Sequence, residues 1–406
     1  MVVIELVFWT SALLLAYVYA GFPALLWLRS ELFRKPVCRS SMTPELTIVI
    51  VAHNESAAIG QKLNNLFALD YPRERLHLIV ASDGSDDGTD DIVSKYKEAM
   101  LLSFPRLGKI PALNEAVQRA RGEILVFSDA NSMFATDALR VLMRPFADAT
   151  VGGVAGMQCY FREKQGSETG AGESAYWSFD QMLKRWQSDV GSVTSATGAI
   201  YAMRRRLFKP LPCGVSDDAM NSYYVVASGY RMVFEPGAVA YETVAPSGEL
   251  EFKRKVRVCV RGLHGIAAIS ELLNPFRFGF YAIQLLSHKL LRWKSAWAVL
   301  ALGISAVVLR SRGLVYSLTG YVVVGLVAAS ALVMMLPRKV LSYRSLRLVT
   351  FPFYFCLANL AFVIAQIKVA RGKRIDAWEV KREQVASQRK SCTAEFVGSK
   401  IGRRIL

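Results

Sequence analysis

The sequence predicts an α/β domain with a mostly parallel sheet, set between apolar helices that reach into a membrane. Three observations carry that expectation. Between Thr43 and Gly265, apolar runs of strand length alternate with segments of helical spacing, and such alternation implies a parallel sheet with helices on both faces. Both ends of the chain hold charge-free runs long enough to span about 30 Å of hydrocarbon. Of 406 residues, 52% are hydrophobic and only 20% charged, below the roughly 25% charge of a soluble domain. A disordered chain would be far less apolar.

Taken in order, Leu6–Leu28 is free of charge, preceded by Glu5 and followed by Arg29, Arg34 and Lys35. A signal peptide would want a basic leader and a shorter apolar stretch, so residues 1–35 read as a retained anchor whose C-terminal end is cytoplasmic by the positive-inside rule. Residues 43–265 form the α/β domain. Leu46–Ala52 and Leu76–Ser82 are its first strands, and Ile59, Leu63 and Leu66 share one face of the helix between them. Ile110–Arg121 has Leu113, Ala116, Val117 and Ala120 at helical spacing, and the strand Ile124–Ser128 follows. Residues 266–293 read as amphipathic surface helices, since Phe276–Trp293 mixes aromatic residues with Arg277, His288, Lys289 and Arg292. Within 294–370, Leu314–Leu336 and Leu348–Ile367 are long enough to span, while Ser295–Leu309 is only about 15 residues and marginal. A basic tail, 371–406, ends the chain. Its side is ambiguous: three crossings after the domain would export the tail, whereas two would export Arg338, Lys339, Arg344 and Arg347.

The balance of 50 Lys plus Arg against 33 Asp plus Glu, net +17, points to nucleic acid or to an anionic membrane surface. Basic residues interleaved with aromatics on a soluble surface are missing, which disfavours nucleic acid. Six scattered cysteines without a CxxC pair suit free thiols in a reducing compartment. Neither GxGxxG nor GxxxxGK[ST] occurs, so the common dinucleotide and P-loop readings lose their support.

In an open parallel sheet, ligands bind at the carboxyl ends of the strands. Three expected strand ends finish in acids: His53-Asn54-Glu55, Ser82-Asp83-Gly84-Ser85-Asp86-Asp87-Gly88-Thr89 and Ser128-Asp129-Ala130-Asn131. Each alone reads as turn and cap chemistry; three on one edge suggest a site. Asp129 and Asn131 can offer two oxygens to a hard cation completed by phosphate, and Lys109, ahead of a helix, can meet phosphate charge. Asp217 and Asp218 follow Ser216 at the start of a helix running to about Ala227, where acids favour the first turn.

These residues resemble a known family. AHNE, SDGSDDGT, Gly108-Lys109 with Ala112-Leu113-Asn114, SDAN, SATGAIYAMRRRLF (Ser195–Phe208), SDDAM (Ser216–Met220), GYRMVFEPGAVAYE (Gly229–Glu242), RKVRVCVRG (Arg254–Gly262) and SHKLLRW (Ser287–Trp293) follow one another in a pattern similar to membrane-bound glycosyltransferase family 2. The resemblance is to bacterial exopolysaccharide synthases, akin to hyaluronan, chitin-oligosaccharide and cellulose synthases, and covers about three quarters of the chain. It implies a GT-A fold, an NDP-sugar donor (a UDP-sugar in the first instance), Mg²⁺ or Mn²⁺, and a bacterial inner-membrane protein with its catalytic domain in the cytoplasm.

Carried over by residue, the resemblance assigns Glu55, Asp83 and Asp87 to the nucleoside side, Lys109 to the diphosphate, and Asp129 with Asn131 to the metal. Asn131 replaces the family's second Asp, which lowers the ligand charge. Asp218 becomes the base that deprotonates an acceptor hydroxyl, giving inversion. Gly198, Asp217, Arg254, Arg257 and Arg261 fall on the acceptor side. Where processive relatives carry Gln-x-x-Arg-Trp, only Arg257 is kept; Arg254 and Val258 stand for Gln and Trp, removing a stacking surface for a terminal sugar. The three arginines share a helical face that headgroups could equally hold. The acceptor is expected to be a growing polysaccharide or a lipid-linked glycan. Single addition to a polyprenyl-(di)phosphate carrier is the rival within the enzyme class, and a non-catalytic glycan-export scaffold the rival outside it. Donor sugar, linkage and oligomeric state are left open.

Overall fold

The computed structural model describes residues 1–161, 170–243, 248–335 and 350–375. The chain begins with a helix, α1, Val2–Leu32, carrying one π turn at Tyr17–Gly21. After residues 33–45 the α/β domain begins with its first strand. Its elements are β1 (Leu46–Ala52), α2 (Ser56–Phe67), β2 (Leu76–Asp83), α3 (Thr89–Val93), β3 (Ala99–Phe104), α4 (Lys109–Gln118), β4 (Ile124–Phe127), β5 (Met133–Phe134), α5 (Ala138–Met143) and β6 (Val151–Phe161). These are followed by α6 (Gly170–Val190), β7 (Tyr201–Arg204), α7 (Asp217–Ala227), β8 (Arg231–Thr243) and α8 (Gly248–Ala268).

The eight strands form one sheet in the order β3-β2-β1-β4-β7-β6-β8-β5. The β3–β2–β1–β4 half is parallel, β7 runs antiparallel to both β4 and β6, and β6 pairs with β8 in parallel. The apolar run LTIVIVA is explained by burial on both faces: Leu46, Ile48 and Ile50 pack with α2 through Ile59, Leu63 and Leu66, while Val49 and Val51 pack with α4 through Leu113 and Ala116. Strands β1, β2 and β4, parallel and adjacent, end at the same edge, which carries His53, Asp83 and Asp129. The central position of β7, and the reversal of direction it brings, was not expected from the sequence.

Three more long helices follow: Phe280–Val308 (α9), Leu314–Met335 (α10) and Thr350–Ala370 (α11). Among the described residues, four helices, α1 and α9 to α11, are long and apolar enough to cross a membrane. The stretch around Ser295–Leu309 is therefore longer than its charge-free run suggests. Gly279, with φ +55°, separates Phe276–Phe278 from α9, and α9 runs through His288, Lys289 and Arg292 by way of a π turn. Two of its polar residues bond protein: Ser287 bonds Tyr17 of α1 at 2.8 Å, and Lys289 donates to Ser195 Oγ at 2.8 Å. The tail beyond Ile375, including Cys392, lies outside the described residues. The five described cysteines are free thiols.

Candidate active site

The loops after β1 and β2 are stitched together. Asn54, at φ +54°, receives a bond from its partner loop at Asp86 N and gives one to Asp86 Oδ1; Asn tolerates that left-handed backbone. Asp87 accepts from the backbone N–H groups of Ser56 and Thr89, so it caps α2 and closes its own turn. Glu55 has a buried side chain at the same junction, its N–H bonded to Thr89 Oγ1. Asp83 is fully buried; its Oδ1 accepts from Leu107 N at 2.7 Å and Gly108 N at 2.8 Å, and Arg106 pairs with its Oδ2 at 3.2 Å. Asp83 thereby fixes the turn that delivers Lys109.

Lys109 is the hub. Its Nζ lies 3.0 Å from Asp129 Oδ1 and 3.0 Å from Asp217 Oδ1. Burial opposes its charge, but the two carboxylates outweigh burial and hold its pKa above the ordinary lysine value. Burial likewise pushes the Asp129 carboxyl up, and Lys109 with Arg257 and Lys62 brings it below the usual range. Arg257 of α8 is near enough for its charge to act on the Asp129 carboxyl; the spacing of Arg254, Arg257 and Arg261 puts them on one helical face without choosing between this site and lipid headgroups. Arg261 borders a small pocket with Gly108, Lys109 and Val215, and Arg254 pairs with the buried Glu251 at 2.6 Å.

The two acids of SDDAM have different surroundings. Asp217 is buried, tied to Lys109 and accepting from Tyr201 Oη at 3.3 Å. Asp218 is half-buried; its Oδ1 accepts from Ser216 Oγ and from Ala219 N at 2.8 Å. Its Oδ2 makes no hydrogen bond among the described residues. Ser216 therefore bonds the Asp218 carboxylate rather than capping the helix backbone, a correction to the simple N-cap expectation. Burial, and then the charge of Asp217, raise the Asp218 pKa.

Gly198 sits under Asp129. It accepts from Asp129 N at 3.1 Å, and a Cβ there would come within 2.9 Å of Asp129 Oδ2. Asp129 thus keeps one oxygen clear of Lys109, and the half-buried Asn131 amide is without a hydrogen bond among the described residues. One carboxylate and one amide, with no third His, Cys, Asp or Glu clustered among the described residues, fit a hard cation that takes its remaining oxygens from phosphate. Gly198→Ala is expected to displace Asp129 and weaken donor binding by about 10²-fold, read as a rise in donor KM; an unchanged KM would mean that the loop yields freely.

Four residues of the site escape sequence reasoning. Lys62 of α2 is fully buried, donating to Ser128 Oγ at 2.8 Å and to the Ser132 carbonyl, with Phe134 beneath it at 3.9 Å. Ser132 Oγ donates to Glu242, which also accepts from Gln158, and Gln158 accepts from Thr197 Oγ1 at 2.6 Å. Thr197 precedes Gly198, so this chain of bonds closes a ring behind Asp129.

Residues 47–211 match the model of glycosyl transferase family 2. This stretch is a glycosyl transferase family 2 domain. Among known proteins, the "Poly-beta-1,6-N-acetyl-D-glucosamine synthase" of Staphylococcus aureus (strain COL) is 26% identical over 239 residues, 57% of this chain and 57% of its own length. A Bacillus subtilis (strain 168) protein named "Probable glycosyltransferase YdaM" is 25% identical over 53% of this chain and 54% of its own. The chain thus spans about half the length of these curated relatives. A solved mannosyltransferase, PcManGT from Pyrobaculum calidifontis in complex with GDP-Man and Mn²⁺, aligns over 91% of this chain and all of its own, with TM-score 0.67 and 22% identity. That likeness establishes a GT-A-type fold for the family 2 domain and the helices around it.

Proposed function

We propose that the chain is an inverting, metal-dependent glycosyltransferase that moves a sugar from an NDP-sugar, a UDP-sugar in the first instance, to a growing polysaccharide or lipid-linked glycan. The division of labour between Asp217 and Asp218 carries this reading. Asp217 is locked to Lys109, whereas Asp218 keeps an oxygen free and a raised pKa. A sugar hydroxyl is a weak nucleophile until a carboxylate takes its proton, and a base whose pKa lies nearer the working pH does so better. Glu55 and Asp87 shape the nucleoside side, and Asp83 acts there through the turn it holds. Lys109 offers its ammonium to the diphosphate, and Arg257 adds charge beside Asp129. Asp129 and Asn131 would hold Mg²⁺ or Mn²⁺, which when bound neutralises the leaving diphosphate. Gly198, Arg254 and Arg261 lie toward the acceptor.

Asp129→Ala is expected to abolish the Mn²⁺-dependent part of donor binding, lowering affinity by at least about tenfold. Calorimetric titration with UDP and a panel of UDP-sugars, with and without Mn²⁺, checks this; identical curves for the variant and the native chain would refute the metal assignment.

Single addition to a polyprenyl-(di)phosphate is a second reading, favoured by Val258, which is exposed on α8 where processive relatives carry a stacking Trp. Product sizing with labelled donor separates the two: a ladder for polymerisation, one lipid-extractable species for single addition.

A further inference from the structure

The segment between α6 and β7, residues 191–200, is irregular and almost wholly buried. Buried backbone must find its hydrogen bonds somewhere, and here successive residues find them on different elements. Val193 N donates to the Met232 carbonyl of β8 at 2.7 Å, and Thr194 N to Gln187 Oε1 of α6 at 3.1 Å. Ala196 N donates to Ser222 Oγ of α7 at 3.0 Å, and that hydroxyl donates in turn to the backbone carbonyl of Asp218 at 2.6 Å. Thr197 is held by Gln158 of β6, and the Gly198 carbonyl by Asp129 N. One loop thus touches both the helix that carries Asp218 and the loop that carries Asp129.

Its remaining support comes from α9. The π turn Leu286–Leu291 presents three consecutive polar residues, each bonded to a different part of the molecule. Ser287 bonds Tyr17, the first residue of the π turn in α1. His288 is buried, with Nδ1 2.8 Å from the Gln187 amide nitrogen and 3.3 Å from Thr194 Oγ1. Lys289 donates to Ser195 Oγ at 2.8 Å. Four residues on, the Trp293 ring lies on α8 over Gly262, where no Cβ would fit. π turns inside α-helices occur frequently at functional sites. A lysine beside a charge-free run ordinarily snorkels to headgroups; Lys289 turns into the domain and makes a charge-assisted bond there. Beyond this contact α9 continues into its charge-free run, where Ala306 and Leu309 pack with Phe8 of α1. A single helix therefore joins the active-site loop to the apolar bundle.

We propose that Lys289 is a positioning residue for sugar transfer: through Ser195 it sets the loop that holds the Asp218 backbone, which makes the seating of the apolar helix α9 part of the active-site geometry. The proposal rests on the transferase reading above and adds to it a residue outside the family 2 match, which ends at Leu211. Lys289 acts nearer the base than the metal. Ser195 adjoins Ala196, which is tied to Ser222 and through it to Asp218, whereas Thr197 and Gly198 have their own ties in Gln158 and Asp129. Loss of the ammonium is therefore felt in transfer and not in donor affinity.

The test uses the full-length chain in nanodiscs. Lys289→Met keeps most of the side-chain volume without its donor, and Lys289→Arg keeps a charged donor. Lys289→Met is expected to lower kcat by about 10–100-fold, as a displaced catalytic group does, counted per UDP-binding site from calorimetric stoichiometry, with the UDP Kd within about twofold. Lys289→Arg is expected to recover most of the rate. A native kcat in Lys289→Met, a loss of UDP affinity that matches the loss of rate, or no recovery in Lys289→Arg overturns the proposal. Hydrogen exchange tests the coupling without activity. Exchange in peptides covering residues 192–200 is expected to quicken by about tenfold or more in Lys289→Met, the factor that a hydrogen bond to a charged group supplies, with β1 to β4 unchanged. Unchanged exchange in the loop overturns the coupling whether or not the chain is a transferase. Quickened exchange beside a native chain that transfers no sugar from any donor overturns the transferase reading while supporting the tie between the loop and α9.

Discussion

Asp218→Asn is expected to lower the rate of sugar transfer by about 10²–10⁴-fold, the range a positioned general base supplies, while UDP binding stays within about twofold. The amide keeps the shape of the carboxylate and can still accept from Ala219 N, which at 2.8 Å fixes the side chain. It cannot take a proton. Because Asp218 makes no hydrogen bond or ion pair with Lys109 or Asp129 among the described residues, its carboxylate bonding Ser216 and Ala219 instead, donor affinity should change little. Rapid-quench measurement of transfer beside calorimetric UDP titration gives both numbers, and full transfer activity in the variant would remove Asp218 from the mechanism.

The pH profile sharpens this. Burial and the Asp217 charge raise the Asp218 pKa, and a base works only when unprotonated. Activity should therefore fall on the acid side at a pH above the ordinary carboxylate value of about 3.9. Asp217→Asn removes the like charge, so the acid limb should move to lower pH. It also deprives Lys109 of one of its two carboxylates, so donor KM should change in this variant and not in Asp218→Asn. The pair of variants thus separates a group that takes the proton from one that orients the diphosphate side.

Much of this site was legible because its parts are local. Alternating apolar runs gave the strands, and acids at three strand ends gave Asp83, Asp129 and their neighbours one edge. That the arginines of α8 share a face followed from helical spacing, whereas their assignment to the site came from the resemblance. What stayed hidden depends on contacts between distant segments. The place of β7 between β4 and β6 is a pairing choice that apolar character cannot encode, since β7 is as buried as its neighbours. Glu242 and Gln158 look like ordinary strand residues until β8 and β6 bring them to Ser132. Lys62 left one faint sign: a lysine at i+3 from Ile59, bordering the arc of Ile59, Leu63 and Leu66 that packs on the sheet. A lysine there usually snorkels to water; here it ends on Ser128 and the Ser132 carbonyl.

Lys62→Met is accordingly expected to weaken metal-dependent donor binding by about 10–100-fold, as loss of a group that orients metal ligands does, with the protein still folded. The methionine fills the same channel, but the ammonium that bonds both Ser128 and the Ser132 carbonyl is lost, and with it the tie that joins the two ends of the loop holding Asp129 and Asn131. Stability should move the other way in a defined pH window. Burial lowers the Lys62 pKa from 10.5 to about 7, against the pull of Asp129 and Glu242. Between these values the unfolded chain binds a proton that the folded chain does not, so native stability rises with pH from about 7 to 10.5 through this group; below 7 both states are protonated and the full penalty is present. At roughly 1.4 kcal/mol per pKa unit, the contribution is on the order of several kcal/mol. In Lys62→Met that rise is absent, and thermal unfolding at pH 7 and pH 9.5 should show a smaller pH difference than in the native chain. Weaker Mn²⁺-dependent binding with a flattened pH dependence would identify Lys62 as the residue that positions the metal loop from inside. Binding equal to native would reduce it to a packing residue, and an undiminished rise in stability between pH 7 and 9.5 would place the titration elsewhere.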